Sequence, residues 1–172
     1  MRTSSDAIRR HRLLSTTLVV VSLQFAEPLF VFHVGVQPPI STGASNAGEI
    51  RVIPFTGGTF EGPVCHGTIA DGGSDWQRIR ANGTLEIVAR YMLRTDDGAL
   101  LEVRSEGLRS APPEVLERLS KGEPVPVSEY YFRTFIHIRT ADERYSWMND
   151  RMFIGFGERR ASEVQITVRA LP

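Results

Sequence analysis

The chain has 172 residues, 41% of them hydrophobic and 23% charged, which is one domain's worth of sequence and excludes both a disordered chain and a membrane bundle. Twenty Lys and Arg balance twenty Asp and Glu, so no net positive charge recommends a nucleic-acid partner. The single cysteine, Cys65, excludes an internal disulfide and a cysteine-built zinc site.

Arg9, Arg10 and Arg12 precede an apolar run from Leu13 to Phe25. The run has the shape of a signal peptide ending near Ala26 and is too short to span a bilayer. Its other reading is a ragged tail entering a first strand, since Thr16, Thr17 and Val19 to Val21 are β-branched. Residues 1–25 are therefore expected to be a disordered or signal-like extension and residues 26–172 the folded domain. The expected location is cytoplasmic, or secreted if residues 1–26 are a signal peptide.

From Glu27 onward the pattern alternates with period two, the signature of strands. Strands are predicted at Leu29 to Val36, Glu49 to Phe55, Val64 to Ile69, Trp76 to Arg80 and Thr84 to Thr95. The second is expected to break at Pro54 and Gly57-Gly58. Asp96-Asp97-Gly98 predicts a hairpin turn, because Asp-Gly suits the left-handed backbone such turns need, and Ala99 to Leu108 is its returning partner. Pro112-Pro113 opens a short helix ending before Gly122, with Val115, Leu116 and Leu119 at helical spacing. Glu129 to Arg139 is a long strand, Asp142 to Asn149 a short helix or turn, and Arg151 to Phe156 and Glu163 to Ala170 finish the chain. About nine strands at hairpin spacing predict an all-β fold, a single closed, mostly antiparallel β-barrel with one or two short helices.

Glu86, Arg90 and Arg94 share one face of one predicted strand, and neighbouring strands can add Glu102, Arg104, Tyr131, Arg133 and His137. If that face lines the barrel, its guanidiniums converge on an enclosed anion site. Otherwise it is a solvated outer face laced with Arg–Glu pairs, and a site would be built from the apolar register of Tyr91 and Tyr130. His33 is a candidate acid or base near neutral pH. Glu61 follows a glycine pair that suits a barrel-corner bulge and is a candidate inward-facing base. Trp76 and the tyrosines suit stacking against a planar ring, with core packing the expected role of at least one tyrosine. The four histidines lack ligand spacing, no glycine-rich dinucleotide loop opens a helix, and Cys65 and His66 point to opposite faces, so no metal, cofactor or cysteine nucleophile is expected.

The segments Ile53-Pro54-Phe55-Thr56-Gly57-Gly58-Thr59-Phe60-Glu61-Gly62-Pro63, Gly72-Gly73-Ser74-Asp75-Trp76, Arg90 to Gly98, Gly107-Leu108-Arg109 and Glu129 to Thr134 follow one another in a recognisable order. From Ala26 to Leu171 the chain resembles the uncharacterised protein family 0311, also called the domain of unknown function 3237. The resemblance implies a small barrel, and a fungal branch linked to chalcone isomerase activity implies a cofactor-free isomerase or cyclase. Its substrate would be an aromatic enone of secondary metabolism such as flavonoid biosynthesis. In that reading Arg90 and Arg94 hold the developing oxyanion and His33 or Tyr131 moves the proton. Glu61, Trp76, Glu86, Tyr91 and Arg133 contact the substrate. The alternative is a non-enzymatic barrel carrying a small aromatic ligand. Expected partners are a small aromatic or phenolic substrate, with a homodimer allowed and neither nucleic acid nor stable membrane insertion.

Overall fold

A computed structural model describes residues 27–171. The expectation of an extension over residues 1–25 lies outside the described residues. Ten strands follow in chain order: β1 (Phe30–Val36), β2 (Ile40–Ser41), β3 (Glu49–Glu61), β4 (Gly67–Ile69), β5 (Ser74–Ile79), β6 (Leu85–Thr95), β7 (Leu100–Ser110), β8 (Tyr131–Arg139), β9 (Phe153–Arg159) and β10 (Glu163–Ala170). Helix α1 (Pro113–Ser120) lies between β7 and β8, and a 3-10 segment (Glu143–Asp150) lies between β8 and β9.

Every pairing is antiparallel. The wall runs β1, β10, β9, β8, β7, β6, then β4 and β5, then β3, and the β1–β3 pairing closes it into an eight-position barrel. Strands β4 and β5 share one position: β4 bridges Gly58–Phe60 to Leu93–Thr95, and β5 bridges Glu49–Pro54 to Leu85–Arg90. The short β2 pairs only with β3, at Ile40↔Val52 and Ser41↔Arg51.

The apolar register of each long strand points inward. On β6, Leu85, Ile87, Ala89, Tyr91 and Leu93 are buried, while Val88, Arg90, Met92 and Arg94 are exposed. This is the face choice that hydrophobic burial dictates for a one-sided antiparallel wall. The Asp96-Asp97-Gly98 turn forms as expected: Gly98 adopts φ +92° and its N–H donates to the Thr95 carbonyl at 2.9 Å. Helix α1 begins at Pro113, buries Val115 and Leu119, and ends where Gly122 adopts φ +74°.

Strand β3 departs from the sequence expectation, running unbroken through Pro54 and Gly57-Gly58 to Glu61. The reason is closure. Val31 to Val36 pair with Glu61 to Phe55, with a register shift that leaves Thr56 as the extra residue of a bulge. Here β1 and β3 approach so closely that a Cβ on Gly58 would overlap the His33 carbonyl oxygen. The glycine pair thus permits the seam rather than ending the strand.

The two halves of the barrel are filled differently. Towards the Asp97-Gly98 end, Phe30, Phe32, Phe60, Leu93, Leu101, Ile136, Ile138, Met148 and Phe153 are almost wholly buried. Phe30, Phe32 and Phe60 meet at ring-centre distances of 5.8–6.1 Å, and Tyr91 lies edge-on to Phe32 at 6.3 Å and to Phe55 at 5.4 Å. Beyond Tyr91 the interior is hollow. Helix α1 lies over that end: a Cβ on Gly83, in the β5–β6 turn, would touch Leu116, and Gly122 lies against Ala161 of the β9–β10 turn. Among the described residues no helix is long and apolar enough to cross a membrane.

Gly58→Ala, which puts a methyl into the seam, is expected to lower unfolding stability by about 2 kcal/mol or more. Urea unfolding followed by tryptophan fluorescence measures the shift.

Candidate functional site

The hollow end encloses a cavity of about 230 Å³. Its walls are mostly apolar: Val34 of β1, Ile53 and Phe55 of β3, Ile87, Ala89 and Tyr91 of β6, Phe132 of β8, Val164 and Ile166 of β10, and Leu119 of α1. Into this lining the strands introduce a polar group from the same inward register. Strand β3 brings Arg51, β5 brings Asp75 and Gln77, β7 brings Ser105 and Arg109, β8 brings Thr134, and β9 brings Arg159.

Glycines give the lining its room. On β9, a Cβ at Gly157 would enter the Phe132 ring, and one at Gly155 would overlap the Thr134 hydroxyl. Phe132 can therefore lie against the wall, where the Arg109 guanidinium stands 5.8 Å from its ring centre.

The polar groups form a short chain. Arg51 Nε donates to Gln77 Oε1 at 2.8 Å. The Gln77 amide in turn donates to Asp75 Oδ2. Arg159 lies at the cavity edge, its guanidinium donating to the carbonyls of Arg160, Ala161 and Glu163. Its backbone N–H donates to the Tyr130 hydroxyl at 3.0 Å. Arg109, only 8% exposed, has no hydrogen-bond partner among the described residues. The buried side-chain atoms left without a partner there are Asp75 Oδ1, Arg109 Nε and Thr134 Oγ1, and all three belong to residues lining this cavity. Such atoms are costly to leave unpaired and mark where a bound molecule would supply the missing bonds.

The electrostatics follow from burial. The Asp75 carboxyl is pushed up to about 6 by desolvation, against the Gln77 hydrogen bond and the charges of Arg109 and Arg51 that pull it down. Arg109 is lowered to about 10, first by burial and then by the like charges of Arg51 and Arg159. Burial also lowers Arg51 and Arg159, and it raises the Tyr91 phenol, with the Asp75 charge adding to that rise. Two guanidiniums, Arg109 and Arg51, thus act on one weakly acidic carboxyl inside an apolar shell, with Arg159 at its edge.

Of the site residues expected from the sequence, the structure places Tyr91 in this cavity and the rest elsewhere. The charged face of β6 points outward, which corrects its expected placement inside the barrel. Arg90 and Arg94 are exposed, and Arg90 donates to Glu102 at 2.6 Å. Glu86 accepts from Arg78 and Arg80, which hold its carboxyl down to about 2. His33 also lies on the outer register, its Nδ1 3.1 Å from Glu163 Oε1 and its Nε2 4.0 Å from Glu61. Trp76 is 56% exposed and Tyr131 is 52% exposed. Arg133 stacks outside on Phe156 at 4.5 Å and on Tyr131 at 5.4 Å. Tyr130 is the tyrosine of its pair that packs inside.

The residues that sequence reasoning missed, Arg51, Asp75, Arg109 and Arg159, carried a legible signal. Each is a charge in the apolar register. Arg109 continues the alternation Leu101, Val103, Ser105, and Asp75 precedes Gln77 on the inward side of β5.

The family pattern described as "Protein of unknown function (DUF3237)" matches residues 26–171. The chain belongs to that family. It is 39% identical over 128 residues to a "UPF0311 protein" of Rhodopseudomonas palustris strain TIE-1, covering 74% of this chain and 84% of that one. Its fold matches the crystal structure of a beta-barrel like protein from Acinetobacter baumannii AYE with a TM-score of 0.74 and 38% identity, over 87% of this chain and 96% of that one. It also matches an enzyme from Penicillium herquei, with a TM-score of 0.63 and 20% identity over 84% of this chain and 92% of that one, a likeness of fold alone.

The raised Asp75 carboxyl has a signed consequence for stability. Between its unfolded value of about 4 and its folded value of about 6, the folded chain binds a proton that the unfolded chain has released. Stability relative to Asp75→Asn therefore falls as pH rises through that window and is level above it. Urea midpoints of the two proteins between pH 4 and pH 8 measure the difference.

Proposed function

We propose that this barrel is a cofactor-free isomerase or cyclase acting on a small enone, with Asp75 as the proton carrier and Arg109 as the principal oxyanion donor. The observation that carries the reading is the convergence of the three unpartnered buried atoms, Asp75 Oδ1, Arg109 Nε and Thr134 Oγ1, on one apolar cavity. A carrier for a neutral aromatic ligand needs an apolar slot and no converged charge. An enzyme that makes an enolate needs cations placed where negative charge develops and a carboxylate that can give back the proton it takes.

The chemistry conserves atoms without a cofactor. The ionised Asp75 accepts the proton of a substrate hydroxyl. The resulting oxygen adds to the β-carbon of the enone, and electron density moves to the carbonyl oxygen as an enolate. Arg109, with Arg51 behind it, stabilises that oxygen. Asp75 then returns the proton to the α-carbon, and the product is an isomer of the substrate. A carboxyl near 6 suits both halves of this exchange, since it is mostly ionised at neutral pH yet acidic enough to reprotonate carbon. Phe55, Tyr91 and Phe132 would hold the substrate folded for ring closure. The likeness of fold to an enzyme from Penicillium herquei is compatible with catalysis in such a barrel.

Incubation with 2′-hydroxychalcone, followed by loss of enone absorbance and chiral analysis of the product, tests the reaction. The expected result is an enantiomerically enriched flavanone formed above the spontaneous rate. A racemic product at the spontaneous rate overturns the reading in favour of a carrier. Arg109→Met is expected to lower kcat/KM roughly a hundredfold or more, as loss of a preorganised oxyanion donor does. The rate should rise with pH through about 6 as Asp75 ionises, and Asp75→Asn should lose that rise.

A further inference from the structure

We infer that the substrate of the cavity is anionic before it reacts: a small aromatic enoic acid whose conjugated carboxyl group pairs with Arg109 from the start, the same oxygens carrying the charge that develops in the reaction. The inference rests on reading the cavity as the substrate site and adds the class of molecule it takes.

The argument starts from charge. Arg51, Arg109 and Arg159 bring three guanidiniums to the cavity, and Asp75 is the carboxyl that lines it with them. Asp75 offsets part of the charge on Arg109 without hydrogen-bonding to it, and one carboxylate does not balance three guanidiniums. Asp75 is hydrogen-bonded by Gln77 instead, Tyr130 is a phenol that accepts from the Arg159 backbone, Ser105 and Thr134 are hydroxyls, and Phe132 offers a ring face. Glu49, which also accepts from the Ser41 hydroxyl at 2.6 Å, offsets part of the charge on Arg51. A buried charge without a partner is strongly destabilising. An enolate or phenolate that appears only during turnover leaves that charge uncompensated in the resting complex. A ligand that is anionic before it reacts compensates it from the start.

Shape then narrows the anion. Arg51 and Arg159 already spend donors on Gln77 and on loop carbonyls. Arg109 alone presents its guanidinium with no protein hydrogen bond among the described residues, and that planar fork matches the two oxygens of a carboxylate. The remaining walls are apolar and aromatic around a cavity of about 230 Å³. A planar ring on an unsaturated arm suits that lining, its ring against Phe55, Tyr91 and Phe132. Thr134 and Asp75 are left to meet a hydroxyl or carbonyl on the same molecule.

The test is calorimetric titration of the full chain at pH 7 with four probes: trans-cinnamate, its neutral isostere cinnamamide, the neutral enone benzylideneacetone, and phenyl phosphate. Cinnamate is expected to bind at least roughly tenfold more tightly than cinnamamide or benzylideneacetone, the scale of one hydrogen-bonded charge pair. Phenyl phosphate should be weaker than cinnamate. Arg109→Gln should erase the preference for cinnamate while leaving cinnamamide binding in place. If that variant fails to fold, Arg51→Gln should narrow the preference, and cinnamate should raise the Tm of the wild-type protein more than cinnamamide does. Equal binding of cinnamate and cinnamamide, or tighter binding of phenyl phosphate, overturns the inference. Turnover of 2′-hydroxychalcone without cinnamate binding overturns the inference and leaves the proposed reaction standing. Cinnamate binding without turnover of any enone does the reverse.

Discussion

The pairing of β1 with β3 is the constraint on which the rest of the structure depends. Without it the sheet would be an open ribbon with two unpaired edges, and its inward register would face solvent on one side. With it, the same register encloses an interior. The seam is made by close backbone approach rather than by large side chains, with Gly58 against the His33 carbonyl and a bulge at Thr56 absorbing the mismatch in register. A glycine pair that looks like a strand breaker in isolation is what lets the first and third strands meet.

Closure makes a second division of labour possible. One half of the interior is packed with phenylalanines and branched aliphatics, and this apolar burial holds the fold. The other half carries Arg51, Asp75, Arg109 and Arg159 around a void, an arrangement that opposes folding through desolvated charge and unmade hydrogen bonds. Tyr91 stands at the boundary, edge-on to Phe32 on the packed side and to Phe55 on the hollow side. A chain built only for stability would have filled the void with leucine. The destabilising half is the functional candidate because the packed half supplies the stability it lacks.

Much of the barrel could be read from alternation and turn chemistry. The β6–β7 hairpin, the short helix after Pro112-Pro113 and the all-β closure follow from period two, Asp-Gly and proline placement. The site was less legible because attention goes to charges that cluster on one strand, and Glu86, Arg90 and Arg94 cluster conspicuously. Clustering on the polar register of an amphipathic strand is what a solvated face produces, and out there Glu86 pairs with Arg78 and Arg80, and Arg90 with Glu102. The informative charges are single ones scattered over four strands, each breaking an apolar register. Chain order does not show that Arg51, Asp75, Arg109 and Arg159 meet, since that requires the register of β3, β5, β7 and β9 around a closed wall.

The inward glycines of β9 separate two properties that a binding cavity usually has to change together. Gly155 and Gly157 set how far Phe132 and Thr134 can retreat, and so how wide the chamber is, while contributing no charge. The guanidiniums and the carboxyl that decide which functional groups are tolerated sit on other side chains. A methyl at Gly157 would displace the Phe132 ring, and one at Gly155 the Thr134 hydroxyl, so either would change the width of the chamber without adding a charge. The bulk of a ligand is therefore set at two positions of one strand, and its charge by side chains spread over four.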